Sequence, residues 1–88
     1  MKLQIRRAKS FDRCFRKLDS RKKKKVIETL RLFSVDPYNP KLKNHNLKGK
    51  MKNISSISAE FDLRIIFCKE GEGEILLLRV GSHDQVYV

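Results

Sequence analysis

The sequence predicts an α+β fold in the order β-α-α-β-β-β, with a helical hairpin packed on one face of a small, mainly antiparallel sheet. Three observations carry this. Apolar residues recur at helical spacing from Phe11 to Phe33. Runs of strand length flank that stretch, one before it and three after it. The break between the two helical segments is so short that they must fold back on each other as antiparallel neighbours. With 88 residues, the chain makes a single domain, 1–88, around one modest core.

The first strand is expected over Leu3 to Arg7, where Leu3 and Ile5 alternate with Gln4 and Arg6. Ser10 is placed to cap the helix that follows, whose inner face carries Phe11, Cys14, Phe15 and Leu18. Asp12 sits in its favourable first turn, four residues before Arg16. Asp19 and Ser20 break and recap the chain. A second helix is expected from about Arg21 to Ser34, with Val26, Ile27, Leu30 and Phe33 inward. Its first turn holds Arg21 and Lys22, Lys23, Lys24 and Lys25. Successive helical residues turn by about 100°, so this run cannot occupy one face, and Lys23 must snorkel from the apolar stripe. The run is either a solvated helix end or a set of phosphate contacts.

Val35 to Pro40 ends the helix, and Lys41 to Lys50 is a basic connection carrying His45. Three strands are then expected, at Met51–Ala59, Leu63–Lys69 and Ile75–Val80, with a hairpin turn at Glu70 to Gly73. The later two are apolar on both faces, with Leu76, Leu78 and Val80 opposite Ile75 and Leu77. Something should therefore cover the sheet face that the helices leave open.

Net charge is +11. It is concentrated in residues 1–52, which hold 18 Lys/Arg against 4 Asp/Glu, whereas residues 53–88 hold 3 against 6. Such a field attracts polyanions, first of all nucleic acid. No apolar run nears the length of a membrane span, and the N-terminal residues lack a secretory h-region. A cytosolic protein with reduced Cys14 and Cys68 is expected. These two cysteines show no metal-ligand spacing with each other or with His45 and His83.

The ends of the strands bring His45 and His83 within possible reach of each other, although 38 residues separate them. Arg64 or Arg79 would stand on the open face nearby. Cleavage of RNA needs a base for the 2′-OH, an acid for the leaving 5′-oxygen and cations for the phosphate. Imidazole suits either proton role, arginine clamps phosphate, and Tyr87 is able to stack on a base.

Three segments, HNLKGKMK (45–52), EFDLRIIF (60–67) and LLLRVGSHDQVY (76–87), resemble the RelE/ParE superfamily of type II toxins, most closely its YafQ branch. The resemblance implies a RelE-like fold and a ribosome-dependent mRNA endonuclease, or mRNA interferase. Such an enzyme works in the ribosomal A site without a metal or other cofactor, and an antitoxin restrains it. The expected partners are thus an acidic antitoxin, the ribosome and mRNA, and no membrane. Residue by residue, it assigns the site to His45, Asp62, Arg64, His83 and Tyr87. Lys48, Lys50, Lys52 and Arg79, with Lys22 to Lys25, would bind RNA. The branch usually has a histidine where this chain has Ser58, and Trp where it has Leu63. The other readings are a ParE-like toxin of DNA gyrase, which lacks the histidine pair, and an RNA-binding protein of the same fold that does not cut.

Overall fold

The computed structural model describes residues 2–47 and 53–86. The elements are β1 (Gln4–Arg7), α1 (Lys9–Arg16), α2 (Ser20–Val35), β2 (His45–Asn46), β3 (Ile54–Glu60), β4 (Leu63–Gly71), β5 (Glu74–Gly81) and α3 (His83–Val86). They build one five-stranded sheet in the order β1-β5-β4-β3-β2. Only β1 and β5 run parallel; the other neighbours are antiparallel. The expected architecture is present, with two additions. His45 and Asn46 form a short edge strand of their own, and the chain after β5 winds into α3.

Helix α1 starts two residues early, at Lys9, with Ala8 extended before it and no side-chain cap. Ser10 is not the cap because its hydroxyl has another use. Its Oγ donates to the Leu78 carbonyl at 2.6 Å, at the point where β5 is bulged. Phe67 faces Leu77 and Ile66 faces Arg79, so Leu78 has no opposite residue. The extra residue turns Val80 onto the helix side with Ile75 and Leu77, which corrects the strict alternation expected for this strand. Asp12 also departs from expectation, lying 3.4 Å from Arg7 Nε in the first strand.

Asp19 does cap α2, its Oδ1 accepting from Lys22 N at 2.8 Å. The inward stripe of α2 is Val26, Thr29 and Phe33, with Leu30 half-buried. Ile27 is instead 43% exposed, because a step of about 100° from Val26 carries it to the flank. Phe33 packs on Phe67 with ring centroids 4.8 Å apart. With Phe11, Val26, Leu42, Ile57, Leu63, Ile65 and Leu77 they form the core between helices and sheet, each large side chain contributing about 1.5–3 kcal/mol on burial. Leu42 anchors the otherwise polar connection from α2 to β2.

The opposite sheet face is only partly open. Ile66 and Val86 are buried yet lie outside the helix-side core, and α3 packs against β4 and β5. The chain itself thus covers the centre of a face expected to wait for a partner. No helix among the described residues is long and apolar enough to cross a membrane.

Candidate active site

In an antiparallel sheet, directly opposed residues share a face. His45 opposes Ser56, Ser56 opposes Ile66, and Ile66 opposes Arg79. One row across four strands therefore places His45 and Arg79 on the face away from α1 and α2. The next row is Ser58, Arg64 and Gly81. His83 follows Gly81 after one residue, so it arrives beside Arg64. Among the described residues, His45, Leu47, Arg64 and His83 line a shallow cleft of about 340 Å³. Pairing register, more than sequence distance, assembles it. Arg79 stays at the far end of its row and does not line the cleft.

Each member is held by backbone geometry. His45 Nδ1 lies 3.0 Å from the Lys43 carbonyl. A carbonyl only accepts, so Nδ1 carries the proton and Nε2 is left as the basic atom. Lys43 itself is left-handed, with φ +50, which turns its carbonyl back to the ring. Asp62 occupies the two-residue turn between β3 and β4 at φ +56, a conformation Asp tolerates better than most residues. Its Oδ1 accepts from the His83 backbone N–H at 2.9 Å. The Asp62 carboxylate thereby ties the β3–β4 turn to the first residue of α3.

Gly81 and Gln85 complete this arrangement, and neither is among the candidate residues of the sequence. Gln85 Oε1 accepts from Ser82 N at 2.9 Å. A Cβ at Gly81 would lie 2.6 Å from that same oxygen, so a side chain there would push the Gln85 amide aside. The Gly-Ser pair directly after an apolar strand was the available signal. Ser58 donates to the Glu60 carbonyl at 3.1 Å, across the irregular end of β3.

A second cleft of about 320 Å³ adjoins the first and shares Arg64; Lys41 and Lys43 line it with the β3–β4 turn. At its edge Arg21 grips Glu60 through two hydrogen bonds of 2.8 and 2.9 Å. These bonds hold the Glu60 carboxyl below the usual carboxylate range against the opposing effect of partial desolvation, and Arg21, Lys25 and Lys22 add their charges. The lysine run is thus split: Lys22 and Lys25 act on Glu60, while Lys23 and Lys24 border a hollow on the outer face of α2. Lys23 does snorkel, its Nζ lying 5.9 Å from the Phe15 ring centroid. Lys48, Lys50, Lys52 and Tyr87 lie outside the described residues. No group of three or more His, Cys, Asp or Glu among the described residues is arranged to hold a metal ion.

A sequence profile of YafQ, the bacterial toxin of type II toxin–antitoxin systems, matches residues 3–88. A copper-bound mutant toxin from Helicobacter pylori is 30% identical, with a TM-score of 0.70 over 97% of this chain and 99% of its own. A further Helicobacter pylori protein, solved in solution, is 31% identical with a TM-score of 0.70 over 93% and 96%. The DinJ–YafQ toxin–antitoxin complex of E. coli matches in fold, at 17% identity and a TM-score of 0.81 over 100% of both chains. Among curated proteins no sequence matches.

Proposed function

The chain belongs to the YafQ family of toxins from bacterial type II toxin–antitoxin systems, and on that premise we propose that it cuts mRNA on the ribosome by metal-independent acid/base catalysis. The observation that supports this most is the shared cleft of His45, Arg64 and His83. His45 Nε2 takes the proton from a 2′-OH, and the 2′-oxygen attacks phosphorus. The bond from phosphorus to the 5′-oxygen breaks, and His83 protonates that oxygen as it leaves. A 2′,3′-cyclic phosphate and a free 5′-OH result. Arg64 stabilises the charge that builds on the phosphate oxygens. Asp62 holds His83 in place through its backbone, and Tyr87 stacks on a base of the message.

Arg79, Lys22 to Lys25, Lys48, Lys50 and Lys52 contact RNA phosphates in this reading. An acidic antitoxin is the resting partner: the E. coli relative was solved with an antitoxin, and a charge of +11 calls for an acidic complement. A small acidic protein encoded beside this one should therefore co-purify with it and suppress its toxicity. If none of the neighbouring small proteins binds, the partner assignment is lost.

Ser58, bonded to the Glu60 carbonyl, favours a second reading in which the protein binds RNA without cutting it. Cleavage of a message on translating ribosomes separates the two. The wild type should cut, and His83→Gln should lower the rate by about 10²–10⁴-fold. The His83 side chain is 64% exposed, so stability should stay within about 0.5 kcal/mol. A wild type that leaves the message whole, or a fully active His83→Gln protein, defeats the catalytic reading.

A further inference from the structure

Phe61 is 98% exposed. It stands at the first position of the two-residue turn between β3 and β4, where no apolar neighbour among the described residues shields it. Full exposure of a phenyl ring contributes nothing to the core and leaves its whole apolar area in water. Its surroundings are cationic instead. Lys41, Lys43 and Arg64 line the same 320 Å³ cleft. The one fully ion-paired acid there, Glu60, is neutralised by Arg21. Asp62 in the same turn spends Oδ1 on the His83 N–H.

We infer that Phe61 is a stacking platform for a nucleobase flanking the cleavage point, with Lys41 and Lys43 taking that nucleotide's phosphate. The inference adopts the RNA reading above as its premise and extends it to a subsite. An aromatic face beside cations is what single-stranded nucleic acid requires, because every base has a face to stack while the charges follow the backbone. Two features connect this subsite to the histidine cleft. Arg64 lines both. Lys43 offers its carbonyl to His45 and its side chain to the second cleft. A strand of RNA lying across Arg64 would thus reach both at once.

The sequence contains no tryptophan, so Phe61→Trp introduces a single reporter at the platform. Its emission is to be followed during titration with a purine hexaribonucleotide and, separately, with polyphosphate of matched charge. Stacking predicts quenching by the RNA and none by polyphosphate. Phe61→Ala should weaken binding of the hexanucleotide at least about fivefold, the low end for removing a base-stacking aromatic, while binding polyphosphate like the wild type. Quenching that is absent, or equal for both polyanions, overturns the inference. So does a Phe61→Ala protein that binds RNA normally but no longer holds its antitoxin, an outcome that assigns the ring to the protein partner. The ribosomal cleavage assay is read separately. A protein that cuts mRNA without this quenching keeps the proposed function and loses the subsite; one that shows the quenching but never cuts does the reverse.

Discussion

At the scale of single residues, Asp62 separates two roles that a motif cannot distinguish. Its resemblance to an active-site acid leaves open whether the carboxyl moves a proton. In the fold its Oδ1 receives the His83 N–H, which is the work of a cap. Asn caps a backbone N–H about as well as Asp, whereas Ala loses about 0.5–2 kcal/mol. Asn also accepts the left-handed turn that Ala resists. Asp62→Asn should therefore retain most of the ribosomal cleavage rate and the urea midpoint, and Asp62→Ala should lower both. If Asn proves as damaging to the rate as Ala while the midpoint holds, Asp62 is a proton carrier. His45 is similarly specified by its backbone, since the Lys43 carbonyl decides which ring nitrogen is basic.

At the scale of elements, two contacts fix the site's framework. The first is the return of α3 over β4 and β5, where the Gln85 side chain packs close against Gly81. Gly81→Ala would drive Gln85 Oε1 away from Ser82 N. The loss of one such hydrogen bond costs about 0.5–1.5 kcal/mol, and denaturant unfolding should register it. Cleavage should fall as well, because the Ser82–Gln85 bond steadies the turn that carries His83. A Gly81→Ala protein of unchanged stability and rate would show that α3 needs no such clearance. The second contact is the Arg21–Glu60 pair between α2 and the end of β3. Its bonds lower the Glu60 pKa, so the carboxyl is stabilised when ionised. The pair's contribution is therefore present above the ordinary carboxylate range and fades as pH falls through the lowered folded value. Arg21→Ala should move the NMR titration of the Glu60 carboxyl carbon upward, and an unmoved curve would break the assignment.

At the scale of the whole molecule, charge separates from chemistry. Most cations lie in the first half of the sequence, while the second half supplies Asp62, Arg64 and His83. Affinity for the ribosome should consequently fall steeply with salt, each phosphate contact contributing roughly 0.7–0.9 to the slope of log K against log salt. The helical split of the lysine run sharpens the test. Lys22 and Lys25 lie toward Glu60 and the second cleft, and Lys23 is engaged over Phe15. The Lys22→Gln/Lys25→Gln protein should lose about 1.4–1.8 from the slope. The Lys23→Gln/Lys24→Gln protein should lose less. Slopes unchanged from the wild type in both would return the run to a solvated helix end.

Features written within a few neighbouring residues can be read from the sequence alone. The helical stripes of α1 and α2, the Asp19 cap, a hairpin turn within Glu70 to Gly73 and the strand runs all arise from contacts that reach no further than one turn or one pleat. Hence the order of the elements was legible, and with the quoted motifs so were His45, Arg64 and His83 as candidates. Tertiary structure decided where those candidates meet. Strand pairing across 38 residues sets His45 and His83 beside one cleft, and pairing register depends on the whole sheet at once. The bulge at Leu78 moved Val80 to the core and gave Ser10 a partner 68 residues away, although local rules made that serine a cap. Ile27 lost its place in the stripe to Thr29 because the sheet beneath α2 selects which face is buried. Long-range pairing is cooperative, and no short stretch of sequence contains its energy.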